Sequence, residues 1–402
     1  MLNKTRTVRL RGALESSCLP EAWRRFLQSP RPAVIYGAGR QAMMVYDFCK
    51  MFGKPCFCLM TTDSRERWGL LPLEDRLPLY LSEEFPANKS KEALDAIIAL
   101  NPAYNTEISA RLQSLGWTNI TAVDDWEEVN GATRDAYYYA YLRQRGAHFI
   151  TDADGMRYVD CPTEYGAFKI YYDIDPIYKA NLLGEFNNIA LPSVFGDLSA
   201  IGECGPYEYG EVTLRPGDTV FALGANVGLF SCVAASKGCS VHAFEPTPVA
   251  VERYLSKNAS LYDDFTVVPC AVMDKSGKIP FYINEDFDSS YNLTRHSTMS
   301  HLEPAYSRIE VESTTLDEYV QQTGIECVDF IKSHTEYAED FLFDGAVNIL
   351  SKFSPRLSFF CRGYVGSEWC KMIEGKILKI NPKYKFLYQW RRVFAFVPEA
   401  DK

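Results

Sequence analysis

Two glycine turns that follow short apolar segments have the composition of ligand-binding loops in α/β sheets. The first turn joins the segment Thr219 to Leu223 to the run Gly224-Ala225-Asn226-Val227-Gly228, and the next apolar segment, Ser240 to Phe244, ends at Glu245. Glycine lets the backbone approach a ligand closely, and an acid at the tip of the second strand can accept hydrogen bonds from ribose hydroxyls. The turn lacks the G-x-G-x-x-G pattern that cradles a pyrophosphate, so a nucleoside without phosphates fits it better. The predicted cofactor-binding residues of this turn are Gly224, Asn226, Gly228 and Glu245.

The second turn, Gly37-Ala38-Gly39-Arg40-Gln41-Ala42, follows the apolar segment Ala33 to Tyr36 and opens a helix-like stretch. Asp63 stands just past the next strand candidate, 24 residues beyond Gly39. This order of strand, turn and helix is the context that a dinucleotide fingerprint requires. Three interpretations stay open: a bound dinucleotide, a nucleotide or nucleotide-sugar ligand, and a domain with a structural or recognition role. For the first two, the predicted cofactor-binding residues are Gly37, Gly39 and Asp63.

Both turns require the same scaffold, in which apolar strands alternate with helices and pair in parallel. The sequence therefore predicts an α/β fold class with two Rossmann-like units. We expect a helical lead-in over 1–32, a smaller nucleotide-binding-type domain over 33–135, a connector with a hairpin over 136–204, and a larger α/β domain over 205–402. The sheet of the larger domain is expected to be mostly parallel and to close with an antiparallel pair at Phe386 to Tyr388 and Val393 to Val397.

Composition and charge argue against several classes of protein. The 402 residues carry 42 Lys and Arg against 52 Asp and Glu, which gives a net charge of −10. That balance is the opposite of the basic footprint of a nucleic-acid-binding protein. The twelve cysteines are scattered without a C-x-x-C pair, and the five histidines are dispersed, so we expect reduced core cysteines and no metal site. Because a secretory signal and a long apolar run are both missing, the sequence predicts a cytoplasmic protein with no membrane span.

Several motifs in the larger domain occur together in the order typical of one enzyme family. They are Gly210-Glu211-Val212, Pro216-Gly217-Asp218, Gly224 to Gly228, Phe244-Glu245-Pro246, Thr315 to Glu318, Val328 to Lys332 and Glu336 to Glu339. Through these motifs, the stretch from about 205 to 395 resembles the FkbM family of S-adenosylmethionine-dependent methyltransferases.

The resemblance implies a class I methyltransferase fold for residues 205–402, with S-adenosylmethionine as cofactor. It further implies that Gly224 and Asn226 lie at the amino-acid end of the cofactor and that Glu245 binds its ribose. The implied reaction is O-methylation of a hydroxyl, and the implied partner is a small-molecule or glycan acceptor.

Three positions depart from the family pattern. The first strand carries Ala222 where the family has an aspartate, and after the fourth strand His334 replaces an aspartate and Tyr337 replaces a glycine. One interpretation is a site that has lost turnover and keeps only a ligand-binding or interaction role. The other interpretation is a rebuilt site that still transfers methyl groups.

The rebuilt site predicts a set of catalytic residues after the strand Cys327 to Lys332. In an open α/β sheet the ligand lies outside the carboxyl ends of the strands, so residues that follow this strand should face the reacting group. Transfer to a hydroxyl benefits from a base, and an imidazole with an unperturbed pKa of about 6.5 is largely neutral at pH 7. His334 is therefore predicted to be the base, with Lys332 and Glu336 beside it.

Overall fold

The structure, a computed structural model, divides the chain into two compact units. Unit 1 is Met1–Arg145 and unit 2 is Gly146–Lys402. The residues that the structure describes are 19–37, 39–62, 77–171, 186, 189–191, 193–194, 205–284, 306–335, 338–361, 366–389 and 392–401. Asp63, Glu336 and Tyr337 from the sequence analysis lie outside the described residues. The domain boundaries of the sequence analysis stay predictions. The boundary expected at residue 135 falls inside a helix of unit 1, Trp126–Gln144.

Unit 1 contains a sheet of five parallel strands in the order β3-β2-β1-β4-β5. The strands are β1 Ala33–Tyr36, β2 Cys56–Thr61, β3 Leu79–Leu81, β4 Asp95–Ile98 and β5 Ile120–Ala122. The α-helices in the described part of this unit are α1 Glu21–Gln28, α2 Arg40–Phe52, α3 Asn105–Ser114 and α4 Trp126–Gln144. β1 is buried along its whole length and lies between β2 and β4. The turn at Gly37 is therefore at the point where the strand order reverses, which is the usual ligand crevice of such sheets.

A buried ion pair lies at the opposite, amino-terminal edge of this sheet. Lys54 Nζ donates to Asp95 Oδ2 at 2.9 Å and to the backbone carbonyl oxygens of Ser29 and Arg31 at 3.1 and 3.0 Å. Arg31 Nε donates to the other oxygen of the same carboxylate at 2.7 Å. Burial raises the pKa of Asp95, but hydrogen bonds from Ser29, Arg31 and Lys54 outweigh burial and leave that pKa below its usual value. The charged carboxylate thus links β4 to the segments that precede β1 and β2.

Unit 2 begins with an antiparallel sheet of three strands and continues into the largest sheet of the described chain. The strands of the small sheet are β6 His148–Thr151, β7 Arg157–Thr163 and β8 Gly166–Tyr171. The strands that follow are β9 Thr219–Leu223, β10 Ser240–Phe244, β11 Phe265–Val268, β12 Ala271–Val272, β13 Gly277–Asn284, β14 Tyr306–Thr314, β15 Phe330–Ser333, β16 Arg356–Phe360, β17 Lys385–Gln389 and β18 Arg392–Phe396. The helices are α5 Leu229–Ser236, α6 Pro248–Ala250, a π-helical turn Val251–Leu255, α7 Ser256–Ala259, α8 Leu316–Thr323, α9 Glu339–Leu342, α10 Val347–Lys352 and α11 Glu368–Ile380.

The large sheet has seven strands in the order β11-β10-β9-β15-β16-β18-β17. β9, β10, β11, β15 and β16 are parallel, whereas β18 is antiparallel to both of its neighbours. The predicted α/β fold class, with a mostly parallel sheet closed by an antiparallel pair, is therefore confirmed. Because β9 lies between β10 and β15 and the chain continues from β9 first to one side and later to the other, the carboxyl ends of β9 and β15 flank the ligand crevice. β12, β13 and β14 form a separate sheet in the order β12-β14-β13.

Candidate functional site

The turn after β9 is glycine-dependent because another strand end lies against it. Gly224 has φ +64°, and a Cβ at this position would lie 2.1 Å from the carbonyl oxygen of His334. A side chain here would have to displace the backbone that follows β15. Gly224 therefore allows the ends of β9 and β15 to meet, which adds a packing reason to the ligand approach that the sequence predicted. Further along the turn Asn226 has φ +51°, and Gly228 has φ +91° and precedes α5.

Glu245, at the tip of β10, is held by backbone donors on two sides. Its Oε2 accepts the N–H of Asn226 at 2.8 Å, and its Oε1 accepts the N–H of Thr247 at 2.9 Å. The side chain is buried, with 6% of the residue exposed. A carboxylate offers about four lone-pair positions, so two positions remain for ligand hydroxyls. The structure places Glu245 at the turn and adds a contact that sequence reasoning missed, since the carboxylate binds the backbone of Asn226 directly. Its role toward a ribose stays a prediction.

Two buried oxygens on neighbouring turns have no hydrogen-bond partner within the part of the protein that the structure describes. They are Asn226 Oδ1, after β9, and Thr335 Oγ1, after β15. Buried polar atoms in folded proteins are nearly always paired, so each such atom needs an explanation. The two turns that carry these oxygens meet at Gly224, on the edge of the sheet where ligands bind. A polar ligand with hydrogen-bond donors would pair both oxygens.

Lys332 extends from β15 to the backbone of the first turn. Its Nζ donates to the carbonyl oxygens of Leu223 at 3.1 Å and Gly224 at 2.7 Å, and 4% of the residue is exposed. Lys332 is the register partner of the buried Ala222, so both side chains lie on the same face of the sheet. The position where the family has an aspartate is therefore beside Lys332. The structure gives Lys332 a definite role in holding the turn, while its predicted role in catalysis stays a prediction.

His334 is fixed by three contacts from different elements. Its backbone N–H donates to Leu223 O at 3.2 Å, its ring stacks on Phe360 with centroids 4.6 Å apart, and its Nδ1 lies 3.1 Å from the hydroxyl oxygen of Tyr207. The residue is half-buried. Of the predicted catalytic set, the structure brings Lys332 and His334 together with Gly224.

Three further residues of this region were missing from the predicted site. Glu339 Oε1 accepts Ser333 Oγ at 3.0 Å and the backbone N–H of Thr335 at 2.8 Å, so it holds the turn after β15. The sequence feature that could have identified Glu339 is its place at the end of the family motif Glu336 to Glu339. Tyr207 and Arg392 have no local sequence signal, and they come to the site only through the tertiary structure: the Arg392 guanidinium carbon lies 4.1 Å from the centroid of the Tyr207 ring.

The turn of unit 1 has a packing explanation of its own. Gly37 has φ +133°, and a Cβ there would lie 2.6 Å from the carbonyl oxygen of Ala99, just after β4. Gly39 precedes α2, and a Cβ there would meet no atom within 4 Å. Contacts within the protein thus account for Gly37, and a nucleotide-like ligand at Gly37, Gly39 and Asp63 stays a sequence prediction.

A metal cluster and a membrane-spanning helix are both absent from the described part of the chain. There, no group of three or more His, Cys, Asp and Glu side chains is placed to hold a metal ion. None of the helices in those residues has the length and apolar character needed to cross a bilayer.

Comparison with known proteins gives one domain match. Residues 223–393 match the family described as Methyltransferase FkbM domain, which lies within the stretch that the sequence motifs indicated. A stretch of 85 residues is 38% identical to 31-O-demethyl-FK506 methyltransferase FkbM of Streptomyces tacrolimicus. That match covers 20% of this chain and 33% of the relative, so the chain spans about a third of the length of that protein.

Two solved structures of methyltransferases are among the matches. Methyltransferase FkbM from Methylobacillus flagellatus is 15% identical at a TM-score of 0.33, over 96% of this chain and 97% of that one. Magnesium protoporphyrin IX methyltransferase from Synechocystis, solved with bound SAM, is 14% identical at a TM-score of 0.25, over 46% of this chain and 71% of that one.

Proposed function

We propose, from the premise that residues 223–393 form a methyltransferase FkbM domain, that unit 2 uses S-adenosylmethionine to methylate a hydroxyl group of a small molecule or glycan. The observation that carries the proposal is the pair of buried oxygens without partners, Asn226 Oδ1 and Thr335 Oγ1, on the two turns that meet at Gly224. Asn226 Oδ1 requires a donor, the Thr335 hydroxyl can donate or accept, and the ammonium group and ribose hydroxyls of this cofactor are donors of the right kind.

The residues present fit this cofactor along one edge of the sheet. Gly224 and Asn226 would hold its amino-acid end, and Glu245 would accept hydrogen bonds from its ribose with the lone pairs that Asn226 and Thr247 leave available. When bound, S-adenosylmethionine supplies a methyl group on a positively charged sulfur. The acidic residue at the ribose position is already fixed by the protein, so little side-chain freedom would be lost on binding.

On the acceptor side, His334 is the candidate base for the hydroxyl proton. Its ring is held between Phe360 and Tyr207, so it can take a proton without a large movement. Lys332 stabilises the position of His334, because its Nζ donates to the carbonyl oxygens of Leu223 and Gly224, which lie next to the backbone of His334. Ala222 does not open the crevice, because it is buried beside Lys332.

Calorimetric titration of the purified chain with S-adenosylmethionine and with S-adenosylhomocysteine tests the proposal. We expect saturable binding of both ligands at one site per chain. Absence of binding at millimolar ligand would overturn the proposed function. If both ligands bind, incubation with methyl-labelled S-adenosylmethionine and a panel of hydroxyl-containing sugars and metabolites should label an acceptor, and its identification by mass spectrometry would define the substrate class.

A further inference from the structure

Asn258 is a buried side chain that joins the first turn of unit 2 to the small antiparallel sheet. It lies in α7 and has no exposed surface. Its Nδ2 donates to the carbonyl oxygen of Val227 at 2.7 Å, and its Oδ1 accepts the N–H of Tyr171, the last residue of β8, at 2.9 Å. Because the carbonyl needs a donor and the N–H needs an acceptor, the amide group fits in only one orientation. One side chain therefore holds two segments that are far apart in the chain.

The carbonyl group that Asn258 binds lies just before the helix that follows the turn. Gly228 is the N-cap of α5, and its own carbonyl oxygen accepts the N–H of Cys232 at 2.8 Å. The carbonyl of Val227 precedes the helix, so its partner must come from another part of the protein. Val227 is buried, and loss of Asn258 Nδ2 would therefore remove a donor from a buried oxygen.

The turn is held on both sides of Asn226. This residue has φ +51°, a left-handed conformation that is uncommon for a residue with a side chain, and its N–H donates to Glu245. The carbonyl of the next residue, Val227, is the group that Asn258 binds. Because an uncommon backbone conformation persists only where surrounding contacts fix it, Glu245 and Asn258 together determine the position of Asn226.

The other end of the Asn258 amide binds the edge of the small sheet. In the described part of the chain β8 pairs with β7 along one edge, and β8 packs on α5 and α7. Side chains bond the backbone groups of its other edge: Tyr171 donates to Asn258, and the Tyr262 hydroxyl accepts the N–H of Lys169 at 2.6 Å and donates to its carbonyl oxygen at 2.5 Å. The small sheet precedes the matched residues 223–393 and is nevertheless bonded to the turn within them.

We infer that Asn258 is a positioning residue of the cofactor turn and that it makes the small sheet β6–β8 a part of the cofactor site. With no exposed surface, Asn258 acts through the carbonyl group of Val227, which fixes the backbone that carries Asn226. The inference rests on the proposed function only in taking this turn as the cofactor-binding loop. Because linkage between two sites is reciprocal, a cofactor that fixes the turn also strengthens the bond from Tyr171 to Asn258.

Calorimetric titration with S-adenosylhomocysteine compares the wild type with Asn258→Asp. The variant keeps an oxygen that accepts the N–H of Tyr171, and at about pH 8 it replaces the Nδ2 donor by a carboxylate oxygen that repels the carbonyl of Val227. We expect the dissociation constant to rise about 5- to 150-fold, as for the loss of a partner from a buried group. In the ligand-free protein we also expect the amide proton of Asn226 to exchange with solvent faster than in the wild type.

Asn381→Asp is the matched control, because Asn381 is also a buried asparagine of unit 2 whose side chain bonds backbone groups. Its Nδ2 donates to the carbonyl oxygen of Leu350 at 3.1 Å, and its Oδ1 accepts the N–H of Lys383 at 3.1 Å. The same substitution there should lower the melting temperature and leave both the affinity and the exchange of the Asn226 amide unchanged. Equal losses of affinity in the two variants would overturn the inference, and so would wild-type affinity in Asn258→Asp.

Residue-resolved hydrogen exchange of the wild type decides the question if Asn258→Asp does not fold. S-adenosylhomocysteine should slow the exchange of the Tyr171 amide more than that of Lys169, whose N–H donates to Tyr262. A general stabilisation of unit 2 would slow both amides equally, and that result would overturn the inference. If the wild type does not bind S-adenosylhomocysteine, the proposed function fails, whereas unchanged exchange of the Asn226 amide in Asn258→Asp would overturn the positioning role alone.

Discussion

Glu245 connects the shape of the first turn to the proposed ribose contact. Both of its oxygens accept backbone N–H groups, from Asn226 and Thr247. In Glu245→Gln an amide NH₂ would replace one oxygen and would face one of these donors. The same NH₂ could not accept from a ribose hydroxyl, and a donor left without an acceptor in the complex costs about 1–3 kcal/mol, which is roughly a 5- to 150-fold change in an equilibrium constant. We expect the dissociation constant for S-adenosylhomocysteine, measured by calorimetry, to rise within that range.

Glu252→Gln provides the control for this prediction. Glu252 is an exposed residue of the π-helical turn Val251–Leu255, and the same substitution there should leave the affinity unchanged. Equal affinity of wild type and Glu245→Gln would show that the ribose does not bind at the tip of β10.

Individual residues show why part of the site could be predicted and part could not. Gly224 and Glu245 were identified because a turn glycine and a strand-tip acid leave a local pattern. The sequence attributed Gly224 to ligand approach alone, and the structure adds the carbonyl oxygen of His334, 110 residues later in the chain, as a second reason. Tyr207 was not predicted, because its contact with His334 joins segments far apart in sequence. Contacts of this kind have no signature in spacing or composition.

At the scale of elements, the ends of β9 and β15 are joined by one side chain. Lys332→Met keeps an apolar stem of similar length and removes both hydrogen bonds from Nζ to the carbonyl oxygens of Leu223 and Gly224. We expect unit 2 to lose about 1–3 kcal/mol of unfolding free energy, since the carbonyl oxygen of Gly224 loses this donor and that of Leu223 keeps the N–H of His334. We also expect weaker binding of S-adenosylhomocysteine, because the turn that carries Asn226 loses its support. Thermal unfolding and calorimetry measure the two effects.

The matched control for this change is Lys352→Met, which alters an exposed lysine at the end of α10 and should change neither quantity. Normal stability and normal affinity in Lys332→Met, with turnover lost, would contradict the structural role and would favour the catalytic role predicted from the sequence.

The strands show how far local patterns determine elements. β9 and β10 occupy the ranges predicted from their apolar runs, Thr219–Leu223 and Ser240–Phe244. β15 was predicted at Cys327 to Lys332 and is observed at Phe330–Ser333. Asp329, just before it, is bonded to Thr219 through its backbone N–H and also accepts the N–H of Thr219 with its side chain, both at 2.9 Å. The antiparallel pair β17 and β18 was predicted, but not the position of β18 between β16 and β17. The order of strands depends on which edges of the sheet are already paired with other strands. The sequence of a single strand does not contain that information.

At the scale of the whole molecule, the sequence predicted two α/β units because two strand–turn–helix patterns occur far apart in the chain. The structure gives the two turns different contacts. In unit 2 the turn carries a buried oxygen that needs a donor, Asn226 Oδ1. In unit 1 the contact of Gly37 with the carbonyl oxygen of Ala99 is internal to the sheet. Since Gly224 makes a similar contact with the carbonyl oxygen of His334, packing of the first glycine does not separate the two turns, and the ligand predicted at Gly37, Gly39 and Asp63 stays a prediction.

Asp95 offers a way to perturb unit 1 while every described residue of the proposed cofactor site stays intact. In Asp95→Asn the buried Lys54 ammonium loses its carboxylate partner. Removal of one partner from a buried ion pair costs about 3–5 kcal/mol, so the transition that belongs to unit 1 should move to a clearly lower temperature in calorimetric scans. The affinity for S-adenosylhomocysteine should stay unchanged, because Gly224, Asn226 and Glu245 are in unit 2.

The effect of this substitution should depend on pH with a definite sign. The pKa of Asp95 is lowered in the folded state, so the folded protein binds this proton less readily than the unfolded chain, whose aspartates titrate near about 3.9. The stabilisation is therefore fully present above that pH and is lost as the pH falls through the folded-state value. The gap in melting temperature between wild type and Asp95→Asn should narrow as the pH is lowered below about 4.

Glu83→Gln, which breaks the exposed pair with Arg111, should change the melting temperature little at any pH, since exposed pairs contribute at most about 1 kcal/mol. A gap for Asp95→Asn that stayed constant through the acid range would show that the carboxylate charge does not stabilise unit 1.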